Sequence, residues 1–485
     1  MSRLSRRGFL KGSLAVAGGA TLARPVRSFG VLGANDRIRV AVAGLNGRGG
    51  SHVGAFLGMK DQGVEIAYIV DPDSRLFAGK LKQITDRQGS APLAVQDIRK
   101  ALDDKELNVI SVATPNHWHA LITIWGCQAG KDVYVEKPMS HNIHEGRIAV
   151  ECARRYKRIV QHGTQSRSDR KFAKIAAVIA SGKLGKLLVS RGLCYKPGGG
   201  ESTRGDIGFR PIKPPPKELD FNIWLGPAPE QGYHENIVHY RWHWFWDFGN
   251  GDIGNQGVHQ MDIARWAIPG ATLPRSVFSY GGRFGPKDQG QAANSQVAIF
   301  DYGDTQLVFE VRGLKSKPFM GEDTGNLFHL EGGVIRGDGF FYPNGGDRKE
   351  PLPDVEVARG PGGEHFKNFM AAVRSRNPQD LNAEVLEGHY SSALCHLANA
   401  SYRVGEEVPF SKQTSAIGDN KEAADAMARM QDYLKDNRFK LEEMTYRLGR
   451  KLTVDPKTEL TDDAEANKIL FGTYRAPFSV PEKIV

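Results

Sequence analysis

A short apolar run that ends in a cluster of glycines constrains this chain more than any other feature. Ile38-Arg39-Val40-Ala41-Val42-Ala43 is rich in β-branched residues, as a strand buried on both faces should be. Gly44-Leu45-Asn46-Gly47-Arg48-Gly49-Gly50 follows at once, and Val53, Phe56 and Leu57 then repeat at helical spacing. Strand, glycine turn and helix in that order form a seat for a dinucleotide pyrophosphate. The glycines let the backbone approach the phosphates, and the helix N-terminus offers unpaired N–H groups and the positive end of its dipole. Gly44, Asn46, Gly47, Arg48 and Gly49 are the candidate contacts. In the G-x-G-x-x-G frame Asn46 replaces the second glycine; asparagine tolerates left-handed backbone, so the turn is expected to survive.

A second run, Val64 to Val70, reads as a strand ending at Asp71. An acid about 20 residues past the turn is placed to bond the adenosine ribose hydroxyls and to repel a 2′-phosphate. NAD is therefore the expected cofactor, with NADP left open by Arg75 nearby. Further strands are expected at Asn108–Ala113, Asp132–Val135 and Arg158–Val160, separated by helical patterns. This alternation over residues 36–160 predicts a Rossmann domain, an α/β doubly wound parallel sheet with ligands beyond the carboxyl ends of its strands. Two of those ends carry polar clusters, Thr114-Pro115-Asn116-His117-Trp118-His119 and Glu136-Lys137-Pro138.

Beyond residue 160 strands follow one another: Leu187–Leu193, Val277–Tyr280, Ser295–Phe300 and Thr305–Glu310, the last two joined by the hairpin signal Asp301-Tyr302-Gly303-Asp304. Residues 161–405 are thus expected to form an α+β domain with a mainly antiparallel open sheet, closed by a long helix from Ala383 to Arg403. Between the strands lies Arg241-Trp242-His243-Trp244-Phe245-Trp246-Asp247. Trp242 and Trp244, with Tyr240 and Trp246, are candidates for a floor under a sugar ring. On a helix starting near Asn255, residues 255, 259 and 262 share a face, so His259 could be held by Asn255, by Asp262 or by both. Residues 406–485 read as a helical extension, charged from Asn420 to about Arg447, ending in an arm without assigned chemistry.

The glycine turn, T-P-N-x-x-H at Thr114, Pro115, Asn116 and His119, and E-K-P at Glu136 to Pro138 together resemble the glucose–fructose oxidoreductase / inositol dehydrogenase / MocA (Gfo/Idh/MocA) family, from Asp36 to about residue 405. The resemblance implies that Lys137 lies between nicotinamide and substrate, Glu136 beside the cofactor ribose and Asn116 near the nicotinamide, with a cis bond before Pro138. It makes His259 the catalytic histidine of D-x-G-x-H-x-x-D, in which Asn255 replaces the first aspartate. An amide orients an imidazole without stabilising its charged form, so Lys137 or Asp252 becomes a candidate partner in proton transfer. The expected activity is oxidation of a secondary alcohol of a small carbohydrate, cyclitol or sugar derivative, in a homo-oligomer joined through the second domain's sheet. The alternatives are a glycosidase that uses retained NAD for transient oxidation and elimination, although its H-x-x-G-P signature is absent around His259, and a non-catalytic sugar-binding protein.

Ser5-Arg6-Arg7-Gly8-Phe9-Leu10-Lys11 precedes a mildly apolar Gly/Ala-rich stretch, with small residues before Arg24-Pro25. This resembles a twin-arginine signal, which exports folded proteins through the Tat machinery, and implies a periplasmic or otherwise exported protein whose cofactor is loaded first and held tightly. The net charge of +10 is largely local: residues 1–33 hold six cations and no acid. What remains does not cluster, which argues against a nucleic-acid partner. The four cysteines make no metal or C-x-x-C pattern and are expected to be buried thiols, and no metal site is expected.

Overall fold

The computed structural model describes residues 37–197, 204–344, 346–410 and 420–484; the expected export signal at 1–33 lies outside them. Strands β1 (Ile38–Ala43), β2 (Val64–Val70), β3 (Leu93–Val95), β4 (Val109–Val112), β5 (Asp132–Val135) and β6 (Val160–His162) form one sheet in the order β3-β2-β1-β4-β5-β6. Every neighbouring pair is parallel. The order reverses between β1 and β4, which opens a crevice beyond their carboxyl ends. Helices α1 (Arg48–Leu57) and α2 (Asn116–Gln128) begin at that crevice. The edge strand β3 was not expected, because three residues are too few for a period-2 pattern to register.

The second sheet has eleven strands: β7 (Leu187–Tyr195), β8 (Ser276–Gly282), β9 (Ser295–Asp301), β10 (Gln306–Arg312), β11 (Thr324–Leu330), β12 (Gly333–Ile335), β13 (Phe340–Pro343), β14 (Glu350–Pro351), β15 (Glu406–Pro409), β16 (Thr445–Leu448) and β17 (Leu452–Thr453). It is antiparallel except where β10 runs parallel to β7. The helices that matter for the site are α3 (Gly251–Asn255), α4 (Gly257–Trp266), α5 (His365–Ser375), α6 (Val385–Arg403), α7 (Lys421–Asp436) and α8 (Ala464–Phe471). The expected boundary near residue 161 is not a clean partition. The apolar stripe Phe366, Phe369, Met370 and Val373 of α5 belongs to the same core as Val40 and Val42 of β1, with Phe366 against Phe56 of α1 and Tyr134 of β5. Helix α6 is buried along most of its length and touches β6, β8, α4 and α8, and the tail returns to set Phe478 against Trp118 and Trp125. All four cysteines are buried and unpaired.

The region after residue 405 differs from expectation. Its charged helix ends at Asp436, and three of its segments add strands to the second sheet. Tyr446 and Leu448 are buried alternately in a strand too short to show in the sequence. Met427, Met430 and Leu434 of α7 join one apolar cluster with Phe278, Val297, Ile299 and Val308, so the chain's own helix covers one face of the second sheet.

Beneath α7 lies the carboxylate of Glu310, 1% exposed. It accepts hydrogen bonds from Arg191 (2.9 Å), the Tyr195 hydroxyl (2.9 Å), Arg312 (3.2 Å) and, from α7 itself, Arg429 (2.6 Å). Burial alone would raise its pKa; the charges of Arg429, Arg191 and Arg312 outweigh that and hold it at about 2. Removing one partner of such a cluster leaves buried, unpaired charge, at a cost of about 3–5 kcal/mol. Glu310→Gln should lose stability of that order in urea unfolding at pH 7. Because the folded pKa is depressed, the wild-type advantage should be fully present above pH 4.5 and disappear as pH falls from there towards about 2.

Candidate active site

The glycine turn owes its shape to two close approaches. Gly44 has φ +83°, and a Cβ there would lie 2.5 Å from the Ala113 carbonyl oxygen; a Cβ on Gly49 would lie 1.8 Å from the carbonyl oxygen of Gly44. The other left-handed residue is Gly47, at φ +50°. Asn46 is not left-handed, so its departure from the glycine pattern costs the turn nothing, and the tolerance expected of asparagine is not called on. Gly47 is the N-cap of α1 and no side chain caps it; the N–H groups of Gly49 and Gly50 close on the carbonyls of Asn46 (3.2 Å) and Gly47 (3.0 Å), and the positive end of the helix dipole is turned to the crevice. Asp71 accepts from the N–H of Leu45 (2.8 Å) and of Asp73 (3.0 Å), so it buttresses the turn as well as lining the crevice. Arg75 is turned onto Asp73 through two bonds of 2.7 and 2.5 Å, which withdraws the cation that had kept a 2′-phosphate in play.

The Glu136 carboxylate lies at the end of β5, 4% exposed. Arg48 Nε donates to it at 2.7 Å, and His52 Nε2 lies 3.1 Å away while its Nδ1 meets the Ser111 hydroxyl at 2.7 Å. Burial would raise the Glu136 pKa, but the hydrogen bond and charge of His52, with Arg48 and Lys137, hold it well below the usual range. The next bond but one, Lys137–Pro138, is cis as expected. Lys137 Nζ donates to the Asn255 carbonyl (2.6 Å) and approaches its Oδ1 (3.3 Å). Burial lowers the Lys137 pKa, opposed by Glu136 and reinforced by Arg48 and Lys196. His119 spans the carbonyls of Pro138 (2.6 Å) and Thr114 (2.8 Å), tying the two polar clusters together.

His259 keeps part of its surface accessible, and its ring makes no hydrogen bond to another described residue. Burial, then the charge of Lys137, pushes its pKa down to about 3. Neither expected holder reaches it. Gln256, between α3 and α4, keeps right-handed helical backbone, and the Asn255 side chain turns to Lys137 and to Asp252 (3.4 Å). Asp262 is fully buried elsewhere, with Arg167 on both oxygens at 2.9 Å and the Ser391 hydroxyl at 2.6 Å. It is a structural anchor rather than a substrate contact. Asp252 is taken up by Arg204, one of whose two bonds is 2.9 Å, which leaves it no free oxygen for the proton transfer considered above.

A cavity of about 340 Å³ joins these parts. Gly44, Asn46, Gly47, Arg48 and Asp71 line one end, Thr114, Pro115, Asn116, His119, Glu136 and Lys137 the middle, and Asn255 and Trp242 the second-domain wall. Gly49 and His259 stand behind this lining. Trp244 is core: it is 3% exposed, packed against Gly205 and under Arg283. Lys196, hydrogen-bonded to Gln256, also lines the cavity, as do Arg204, Gln256 and His239, none of which the sequence singled out. His52 could have been found, since it stands one helical turn from Arg48 on the same face. The others come from loops whose placement no pattern encodes. One such segment closes the adenosine end: Ser74 N–H bonds the Glu218 carbonyl (3.0 Å), Asp220 N–H the Pro72 carbonyl (2.9 Å), and His239 meets Asp73 at 2.9 Å.

The cavity fits a dinucleotide. The glycine approaches leave room for phosphate at the end of α1, and Thr114 Oγ1, Asn116 Oδ1 and Arg48 Nη2 are buried there without a partner, as groups awaiting a polar ligand would be. Among the described residues no cluster of His, Cys, Asp or Glu could hold a metal ion.

Comparison with known proteins agrees with this architecture. The model of an oxidoreductase family with an NAD-binding Rossmann fold, Gfo/Idh/MocA, matches residues 38–164, and the model of that family's C-terminal alpha/beta domain matches residues 205–439. The inositol 2-dehydrogenase of Leifsonia xyli subsp. xyli is 30% identical over 194 residues, 40% of this chain and 54% of that protein. The scyllo-inositol 2-dehydrogenase (NAD(+)) of Bacillus subtilis is 27% identical over 156 residues, 32% of this chain and 44% of that protein. The chain thus spans about half the length of the curated relatives it matches. Among solved structures, the WlbA dehydrogenase from Bordetella pertussis in complex with NADH and UDP-GlcNAcA shares the fold over 75% of this chain and 96% of that one, with a TM-score of 0.53 at 18% identity. With the glycine turn, the Glu136-Lys137-Pro138 corner and the mostly antiparallel second sheet all in place, the chain belongs to the Gfo/Idh/MocA oxidoreductases.

Proposed function

We propose that this protein oxidises a secondary alcohol of a sugar, cyclitol or sugar derivative with NAD. The observation that carries the reading is Lys137 Nζ, held on Asn255 where the cofactor crevice meets the second-domain wall, with the unprotonated ring of His259 within its electrostatic reach. Bound NAD would supply the hydride acceptor. The substrate hydroxyl would give its proton to His259, which burial keeps neutral, while the Lys137 ammonium stabilises the developing alkoxide. Trp242 and Tyr240 offer aromatic surface to the sugar, and Lys196 and Arg204 offer donors.

The segment pinned over Pro72–Ser74 supports a cofactor that is held tightly rather than exchanged. Arg6-Arg7 and the stretch after them support export by the twin-arginine route, which fractionation of cells producing the full chain, with and without Arg6→Lys/Arg7→Lys, would test. A homo-oligomer belongs to the same reading, with its contact outside the face that α7 covers.

The deciding experiment is to purify the folded protein, assay it for co-purified NAD, and screen sugars, cyclitols and glycosides for NADH absorbance and for released aglycone. NADH formation supports the proposal; aglycone release without NADH would replace it with the elimination chemistry. His259→Ala and Lys137→Ala should each keep NAD binding and lose roughly 10²–10⁴ in kcat/KM; full turnover in either variant sinks the assignment. Because the Lys137 pKa is lowered, turnover should fall as pH rises through a value below 10.5, whereas His259, neutral down to about pH 3, should impose no acid limb near neutrality. Gly49→Ala should abolish cofactor binding in a fluorescence titration, because its Cβ cannot share space with the Gly44 carbonyl.

A further inference from the structure

A second cavity, of about 250 Å³, opens beside the first turn of α2. Asn116 faces the cofactor crevice, and its neighbour His117 faces this one. Trp246 and Asn250 form a second wall, Arg403 at the end of α6 a third, and residues 468–474 close the remaining side.

Two donors in it have no partner among the described residues, one part-buried and one buried. The Arg403 guanidinium makes no ion pair and no hydrogen bond with another described residue; it lies over the Trp246 ring, 4.9 Å from the centroid. Burial lowers its pKa, with the Asp247 charge as the only opposing influence. The Asn250 side chain is 5% exposed, and its Nδ2 has no acceptor. The charges around them do not balance. Burial lifts the Glu145 carboxyl to about 8, so at pH 7 it is neutral and no counter-ion. Burial likewise keeps His117 neutral at about 4, His396 at about 3, and His141 well below its ordinary value. Lys468 adds a second cation at the rim, against the carboxylate of Asp247, itself bonded to Gln231 at 3.0 Å. One positive charge is left over.

We propose that this cavity is a second ligand site, for a small monocarboxylate that carries a ring. The carboxylate would sit between the Arg403 guanidinium, whose fork matches it in two parallel bonds, and the Asn250 amide, with the ring beside Trp246. Such a ligand supplies the acceptor that the buried Asn250 amide lacks, pairs the half-buried Arg403 guanidinium and cancels the surplus charge. The site does not depend on the proposed oxidoreductase chemistry.

Isothermal titration of the NAD-loaded protein with cyclohexanecarboxylate, which has no hydroxyl to oxidise, tests it. We expect one saturable event per chain, no binding of the neutral cyclohexanecarboxamide, at least tenfold weaker binding in Arg403→Gln and severalfold weaker binding in Lys468→Glu, with NAD affinity unchanged in both. Lys468→Glu changes only the exposed rim, so it carries the test if Arg403→Gln does not fold. The proposal is overturned by the absence of saturable heat at millimolar concentration, by undiminished binding in the variants, or by equal affinity for inorganic phosphate, which would make the cavity a nonspecific anion trap.

Discussion

The buried carboxylate of Glu136 is the joint on which the cofactor side of this molecule depends. It takes the Arg48 and His52 side chains from α1 and lies at the end of β5. The helix that follows the glycine turn is therefore locked to the strand that carries Lys137. A carboxylate in such a place is costly to desolvate, and it stays ionised because His52 and Arg48, on one helical face, reach it together with the charge of Lys137 beside it. Gly163 completes the fit: a Cβ there would lie 3.0 Å from the Glu136 Cα. The turn, the helix dipole and the lysine thus keep their relative positions without any contact from a ligand.

From that joint the order spreads to the second domain by two routes. Lys137 reaches across to the backbone of Asn255, at the end of α3. At the other end of the crevice, Asp71 holds Leu45 and Asp73, and Asp73 in turn holds His239 of the second domain. The crevice is bracketed at both ends by bonds between domains, and α5, α6 and the returning tail pack across the same boundary. Relative domain motion is the default where such boundaries are small and polar; here the apolar packing of Phe366, Phe369 and Phe478 opposes it.

The parts of this arrangement that were legible in the sequence are those with a local signature. Strand β1, the glycine turn, Asp71 and the Lys137–Pro138 corner each depend on neighbours within a few residues, and each lies where the pattern put it. Spacing placed residues 255, 259 and 262 on consecutive helical turns but could not assign their partners, and Asn255 is taken by Lys137 rather than by His259. Asp262 was claimed by Arg167, 95 positions away, a partner that no spacing rule could supply. Trp244 and Trp242 are indistinguishable in the run Arg241 to Asp247; only packing makes one a core residue and the other a wall. Glu310, Lys196 and Arg204 were invisible for the same reason: Glu310 meets Arg191 and Tyr195 of β7 and Arg429 of α7, Lys196 meets Gln256, and Arg204 meets Asp252 of α3.

The substitution at residue 255 acquires a meaning from these distances. In the family pattern an aspartate stands there, and in this fold its oxygen would sit about where Asn255 Oδ1 does, 3.3 Å from Lys137 Nζ. An ionised carboxylate at that distance would pair with the ammonium and neutralise it. The amide accepts a hydrogen bond without cancelling the charge. The other acids within electrostatic reach are bonded elsewhere, Asp252 to Arg204 and Glu136 to Arg48 and His52. The positive charge of Lys137 is thus free to face the cavity rather than a protein carboxylate. In this chain, what asparagine gives up as a partner for His259 it returns as an ammonium that no carboxylate bonds, turned to the cavity.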